Sequence, residues 1–459
     1  MNDKMKFLLA VLIVFAYLLP VHAWAGIDDL LTLYNDARSN DPAIGKAKAR
    51  LEASRADTNI SLSQMLPRVE ANAGINWISN TSLNYGPSEI SGSYTGDSYG
   101  FSARVPLFAV PNVLNLAASR ASVRGADAAL SGSRQDLIVA LAEAYFGLLK
   151  AQVDEVLYRD ELKRLEQIYD QIKEFKSSGT ATVLSVFEAK AKLDSAASDS
   201  IKATIVRKMA AQQLESIVGR PVTEVKDLGK YTVRGAEPAE IEWWLATMQK
   251  NRPSLVQVRE LLKQSELSRR AANASHLPTI HASGGYSVSK GSTFLPQVET
   301  RQWTVGLNLS VPIYSGGETT ARTQRALAME SEQGFVLNEV RDQGILKLKQ
   351  AFLNLEYSSA LLPPTLQKRA SALQQMEAAK EGRGVGTRTG IDLLNAKQGV
   401  AIAQRDLAGA LYDNALRQLQ LKSVAGILKE SDLTDLNELL VTVSASQYFL
   451  SRQIDEGTK

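Results

Sequence analysis

The 459-residue chain carries 52 Lys and Arg against 49 Asp and Glu, a balance that supplies no field for gathering nucleic acid. It contains no cysteine, which excludes disulfides, thiolate metal sites, cysteine nucleophiles and a lipid-modified N-terminal cysteine together. The length leaves room for two to four domains with a sizeable core.

The chain opens like an exported protein. Lys4 and Lys6 form a short basic region, Phe7 to Leu19 is nearly unbroken apolar sequence, and Ala23-Trp24-Ala25 supplies small residues before a cleavage point. The apolar run is shorter than the ~20 residues a spanning helix needs, so residues 1–25 are predicted to be a signal peptide and not an anchor. Nothing after it is apolar and long enough for a transmembrane helix. Any membrane residence must therefore be as a β-barrel.

The remainder is an internal duplication. Asn40-Asp41-Pro42 returns as Asn251-Arg252-Pro253, and Leu66-Pro67 as Leu277-Pro278, both 211 positions later. Val105-Pro106-Leu107-Phe108 returns as Val311-Pro312-Ile313-Tyr314 at an offset of 206. Tyr145 answers to Phe352, Gly179-Thr180 to Gly386-Thr387 and Val218-Gly219 to Ala425-Gly426, all at 207. The ordered series predicts a first repeat over 26–219, a linker over 220–240, a second repeat over 241–427 and a C-terminal segment over 428–459.

Each repeat places two alternating segments before a long helical region. Val69, Ala71, Ala73, Ile75 and Trp77 share one face of a strand expected over 68–79. Tyr99, Phe101, Ala103, Val105 and Leu107 share one face over 98–108. The second repeat predicts strands over 279–289 and 302–314, with Ile280, Ala282, Tyr286 and Val288, then Trp303, Val305, Leu307 and Leu309, on the apolar side. Apolar-out, polar-in alternation over about ten residues is the pattern of a transmembrane barrel, and Trp77, Tyr99, Tyr286 and Trp303 stand where an aromatic girdle would lie. An ordinary half-buried sheet alternates in the same way. The strand count separates the two: four strands cannot close a barrel, which needs about eight, and open edges cannot face lipid. A membrane reading thus requires several chains to pool their strands.

No proline interrupts Asn112 to Lys176. Leu137, Leu141, Ala144, Leu148, Ala151, Tyr158, Leu162, Leu165, Tyr169 and Ile172 follow coiled-coil spacing with only Glu155 breaking the seam. Such a helix would span on the order of 100 Å at ~1.5 Å per residue. Helical hairpins are expected over 112–219 and 318–427, turning through Gly179 and Gly386. Pro363-Pro364 predicts a kink or break in the second, opposite Val156 by the repeat offset.

The duplicated strand pairs and hairpins, with Val-Pro-Ile-Tyr-Ser-Gly-Gly at 311–317 and Val-Gly-Thr-Arg-Thr-Gly-Ile-Asp-Leu-Leu-Asn-Ala at 385–396, resemble the TolC family of outer-membrane efflux and type I secretion channels. The likeness covers almost the whole mature chain. It implies a mainly α fold with β: long helical hairpins forming a coiled-coil α-barrel, plus four strands per chain contributing to a trimeric twelve-stranded transmembrane β-barrel. The expected setting is the outer membrane with a periplasmic extension. Implied partners are two further copies of the chain, outer-membrane lipid, a periplasmic adaptor protein and an inner-membrane transporter; no nucleic acid and no cofactor are implied.

The same resemblance assigns the hairpin tips. Asp392 matches the family's aperture aspartate, three copies of which would make an anionic ring. Asn395 stands where close relatives have a second aspartate, halving the charge. Arg388 matches a latch arginine, but Arg383 replaces a latch tyrosine, and Leu184 and Ser185 occupy the places of its threonine and aspartate partners. Closure is therefore expected to use Arg383 or Arg388 against Asp392 instead. Val385-Gly386-Thr387 with Gly179-Thr180 would dock the adaptor, although glycine also simply ends helices.

Rival readings are poorer. Of three histidines, His22 lies in the signal, and His276 and His281 form no ligand or triad pattern. The glycines of 382–386 follow a helix and not a strand, which argues against a phosphate loop. A structural periplasmic coiled coil or surface protein without transport activity is the alternative. A simple diffusion porin would have no use for helices of this length.

Overall fold

The structure, a computed structural model, describes residues 28–85, 88–229, 231–290 and 299–441; the expected signal peptide and the tail beyond residue 441 lie outside these. The first repeat builds helices α1 (Leu30–Asn40) and α2 (Pro42–Ser63), strands β1 (Arg68–Tyr85) and β2 (Ser88–Phe108), and helices α3 (Val110–Ser177) and α4 (Val183–Val218). A short strand β3 (Asp227–Leu228) follows. The second repeat gives α5 (Ile241–Asn251), α6 (Pro253–Ala274), β4 (Thr279–Lys290), β5 (Glu299–Ser310), α7 (Glu318–Ala360), α8 (Leu362–Gly384) and α9 (Gly390–Ala425). Helix α10 (Glu430–Asn437) leads into β6 (Leu440–Val441), which pairs antiparallel with β3 and ties the C-terminal segment to the linker.

The helix ends are written in the sequence. Asp41 accepts from Ile44 N at 2.7 Å, with Pro42 in the first turn of α2 where its missing N–H costs nothing. Gly219 and Gly426 end α4 and α9 in the left-handed conformation.

The two larger of three apolar clusters are copies of each other; the third, Ala372, Val400 and Ala403, is small and joins α8 to α9. Leu33, Ala37, Ile44, Leu141, Tyr145, Leu148 and Leu214 are buried in one. Their repeat counterparts Trp244, Met248, Leu255, Leu348, Phe352, Leu355 and Leu421 are buried in the other. The duplication is thus a duplication of core packing, centred where α1 and α5 cross the long helices.

Helix α3 runs 68 residues without interruption, on the order of 100 Å. Its seam is buried as expected at Leu137, Leu141, Ala144, Leu148 and Ala151. Glu155 does not break it. The buried carboxylate is met by Arg207 of α4 at 2.7 Å and Arg159 at 3.4 Å, so the seam turns polar and is answered. Towards the tip the buried positions are Val153, Leu157 and Ile168, and the expected seam residues Tyr158, Leu162, Leu165, Tyr169 and Ile172 are only half-buried.

Helix α4 packs on α3 through Ala189, Ala196 and Ala203, three buried alanines at seven-residue intervals. Small side chains at this spacing let the two backbones approach closely along the coil. Ala196→Leu should therefore force the helices apart and destabilise the hairpin by ~1–3 kcal/mol. A lowered urea midpoint for the detergent-solubilised protein, followed by helical circular dichroism, is the check; an unchanged midpoint would mean the seam is loosely packed.

The second long helix is divided. Leu361 N still donates to Tyr357 O at 3.0 Å and Thr365 N to Leu361 O at 3.2 Å, while the prolines between them have no N–H to offer the carbonyls of Ser359 and Ala360. The helix stops at Ala360 and restarts at Leu362, with both prolines in the first turn of α8.

The four long strands form one antiparallel sheet in the order β1-β2-β4-β5. β1 and β2 reach further than the sequence suggested: most of the expected polar loop between residues 79 and 98 is strand, with a register shift between Asn80 and Leu83. β5 is shorter, ending at Ser310 and not at residue 314. Pro312 cannot donate to a ladder, whereas its counterpart Pro106 is accommodated at an irregularity between Pro106 and Phe108.

Candidate functional site

The two hairpin tips share one backbone geometry. In the first, Thr180 N donates to Phe175 O at 2.8 Å, Thr180 Oγ1 donates to the same carbonyl at 2.9 Å, and Ala181 N reaches it at 3.1 Å. In the second, Thr387 N, Thr387 Oγ1 and Arg388 N donate to Gly382 O at 2.8, 3.0 and 3.1 Å. Gly179 and Gly386 carry the positive φ that each turn needs, 76° and 77°. The tip residues Gly179, Thr180, Val385, Gly386 and Thr387 are all exposed.

Gly382, which its sequence context marks only as part of a rejected phosphate-loop pattern, shapes the second tip. It answers to Phe175 by the repeat offset, and a Cβ there would fall 2.7 Å from Arg388 Cγ. Its absence lets the arginine side chain lie along α8. The signal for it was present: a large residue in one repeat faces a glycine in the other.

Asp392 closes a capping box at the start of α9. Its carboxylate accepts from Thr389 N and Thr389 Oγ1, each at 2.9 Å, and its own N–H donates to Thr389 Oγ1 at 3.1 Å. The Thr389 backbone N–H foremost, then its hydroxyl and the nearby Arg388 charge, hold this carboxyl below the usual carboxylate range. Both accepted bonds fall on Oδ2.

The expected partners are not assembled around Asp392 within one protomer. Asn395 turns to the other hairpin, where its Oδ1 accepts from Arg164 Nη1 at 2.8 Å, and Glu161 braces that arginine at 2.7 and 2.5 Å. Ser185 N and Oγ both engage Thr182 Oγ1, at 3.1 and 2.9 Å, in the cap of α4. Among the described residues, Arg383 and Arg388 form no ion pair. The tips also expose apolar side chains: Phe175, Val183, Leu184 and Phe187 in the first hairpin, and Val385 in the second.

At the opposite end, register sets the apolar faces of all four strands together. Ala71, Phe101, Tyr286 and Trp303 are consecutive cross-strand partners, and the row before it aligns Ala73, Tyr99 and Val288 with Arg301. Tyr286 and Trp303 meet at 4.8 Å, with Phe101 at 6.1 and 5.9 Å from them. The aromatic cluster is thus Phe101, Tyr286 and Trp303, with Tyr99 one row away. Trp77 pairs with Thr95, four positions along β1 from the Tyr99 row, and does not join that cluster. Val305 is 87% exposed and Trp303 71%, so among the described residues the β5 part of this apolar face is open, while Val288 of β4 is buried. No helix of the described residues is long and apolar enough to cross a membrane.

Comparison with known proteins agrees with this architecture. A family model described as "Outer membrane efflux protein" matches the chain twice, over residues 33–220 and 244–427. The chain is 27% identical to outer membrane protein TolC of Vibrio cholerae, covering 90% of this chain and 94% of that protein. It is 28% identical to the alkaline protease secretion protein AprF of Pseudomonas aeruginosa, over 91% of this chain and 88% of the relative. Its fold resembles the Campylobacter jejuni CmeC outer membrane channel with a TM-score of 0.74 at 16% identity, covering 90% of each chain. Duplicated hairpins, a sheet whose apolar face is open along β5 and a family match repeated in each half lead to one conclusion: the chain belongs to the outer membrane efflux protein family of TolC-type channels, which transport and do not catalyse.

Proposed function

We propose that three copies of this chain assemble into a homotrimer whose pooled strands close a twelve-stranded barrel in outer-membrane lipid. Their helical hairpins then continue as a tunnel through the periplasm. The observation that carries this is the sheet order β1-β2-β4-β5: it leaves β1 and β5 with unpaired edges while the outward face is apolar. An edge strand cannot present bare N–H and C=O groups to hydrocarbon. The edge of β5 therefore needs the β1 edge of the next copy, a head-to-tail contact that closes into a ring.

The tunnel has no energy source, so it works with a periplasmic adaptor protein and an inner-membrane transporter in a tripartite efflux or type I secretion system. Val385, Gly386 and Thr387, with Gly179 and Thr180, form the docking tips. Asp392 sets the charge of the entrance, with Arg383, Arg388, Asn395 and Ser185 around it. Tyr99, Tyr286 and Trp303 lie in the aromatic girdle, and Trp77 stands further out along β1. Cargo choice rests with the transporter; one relative is named for alkaline protease secretion, which keeps protein cargo alongside small molecules.

Purified protein from the outer-membrane fraction should migrate as a heat-modifiable oligomer and give discrete conductance steps in planar bilayers. An oligomer without conductance would favour a structural coiled coil. Crosslinking from cysteines placed at residues 383–388 should capture the adaptor.

A further inference from the structure

We propose that the copies are joined by an apolar cluster in which Ile205, Val206 and Met209 of α4 in one protomer meet Leu353, Tyr357 and Leu361 around the end of α7 in the next. The inference rests on the homotrimer reading and deepens it by naming the surface and register that hold the tunnel together.

Inside one protomer, α3 of the first repeat packs along α9 of the second. Four contacts descend that junction in one antiparallel register. Gln420 Nε2 donates to Glu143 Oε1 at 2.7 Å, and Phe146 stacks on Tyr412 at 5.8 Å. Below them, Arg405 lies 3.9 Å from Asp154, and Arg164 reaches Asn395 at 2.8 Å. In this region the repeat offset is a constant 207, set by Tyr145/Phe352, Gly179/Gly386 and Gly219/Gly426. It maps α3 onto α7 and α8, and α9 onto α4.

A ring in which the two repeats alternate makes this long-helix-on-short-helix junction twice per protomer. It occurs once inside the chain as α3 on α9, and once between chains as α7 and α8 on the neighbour's α4. The sheet follows the same rule, because the β2–β4 pairing inside the chain is what β5 and the next β1 would repeat.

Carrying the inner junction over by the offset turns Phe146 and Tyr412 into Leu353 and Ile205. Lys150 and Asp154 become Tyr357 and Leu361, and Asp413 and Leu416 become Val206 and Met209. The six derived residues are all large, apolar and exposed in the single chain. Phe146 and Tyr412 are 4% and 3% exposed, whereas Leu353 and Ile205 are 60% and 51% exposed, so the same packing position is filled in one junction and open in the other. The chemistry also differs. The inner junction surrounds a cavity of about 790 Å³ with Glu143, Lys150, Asp154, Arg405 and Asp413. The outer one replaces Lys150, Asp154 and Asp413 with apolar groups and Arg405 with Ser198. Two apolar patches, each exposed among the described residues of the single chain and matched to the other by the repeat offset, are the mark of an interface.

The faces agree. Ile205 and Met209 project away from buried Ala196 and Ala203 on α4, and Leu353 and Tyr357 away from buried Leu348, Phe352 and Leu355 on α7.

The absence of native cysteine makes the test clean. Ile205→Cys with Leu353→Cys in one chain, treated in outer membranes with a short bis-maleimide, should convert most of the protein into covalent dimers and trimers on denaturing gels. Ile205→Cys with Phe335→Cys, on the same face of α7 but about 27 Å further along it, should stay monomeric. If amine crosslinking of the unmodified protein yields trimers but the 205/353 pair does not link, or the 205/335 pair links instead, this register is overturned and the homotrimer stands. If the unmodified protein yields no oligomer, the homotrimer reading itself falls. As an independent arm, Ile205→Asp should reduce trimer yield at least ~tenfold and added Leu353→Arg should restore it, since the two charges would pair across the junction. Undiminished trimer in Ile205→Asp would overturn the cluster.

Discussion

Gly426→Ala is expected to cost roughly 3–5 kcal/mol and to remove the protein from the outer membrane, while Gly219→Ala costs only ~1–2 kcal/mol and leaves a folded channel. The two glycines occupy the same place in the two repeats, each ending a 36-residue helix, with φ of 77° and 83°. Alanine is strained at both. What it would meet differs. At Gly426 the new methyl would lie 2.5 Å from Arg252 N and Cα and 2.6 Å from Asn251 C, all backbone atoms pinned by Pro253 at the start of α6. At Gly219 it would meet the Asn40 side chain, at 2.8 Å from Nδ2 and 3.1 Å from Cγ, which can rotate away at the loss of its 2.9 Å bond to Val218 O. Thermal unfolding of the two variants in parallel checks the difference. Equal losses would show that the backbone of residues 251–253 yields as readily as a side chain.

These glycines also explain a pattern that the sequence displayed without giving its reason. Asn-x-Pro and Val/Ala-Gly recur together because the first motif starts one helix against the exact end of another, and the pair locks each repeat at its core. Periodicity reported the long hairpins, the duplicated cores and the strand faces because each is a local repeat of apolar side chains. The far ends of β1 and β2 were not legible: Asn80, Thr81, Ser82, Asn84, Gly92 and Ser93 have loop composition, yet residues to Tyr85 and from Ser88 continue the ladder. Backbone pairing with a partner strand carries such a segment although its composition is that of a loop. The tip residues were legible only as a motif. Nothing local to Asn395 indicates Arg164, 231 positions earlier, because that contact arises from how two hairpins lie together.

Replacing Asp392 by asparagine should raise the concentration of a trivalent cation needed to half-block the channel from its periplasmic side by at least ~tenfold. The substitution separates two roles that one carboxylate fills. Asparagine retains an oxygen able to accept from Thr389 N, so the start of α9 stays capped while the charge at the proposed entrance is gone. With Asn395 in place of a second acid and held by Arg164, Asp392 is the acidic group that the tip of α9 can offer to an axis. Its carboxyl is held below the ordinary range, foremost by the Thr389 N–H and then by the hydroxyl. A depressed value means that the ionised form, and the stability its cap contributes, is present above the unfolded-state pKa and lost only as pH falls through the lower folded value. Thr389→Val keeps the N–H and removes the hydroxyl, so its cation block should disappear at a higher pH than that of the unmodified channel. Block that is unchanged in Asp392→Asn would assign the carboxylate to helix capping alone. A pH profile of block identical in Thr389→Val would mean that the like charges of three neighbouring aspartates, and not the cap, govern when the ring is neutralised.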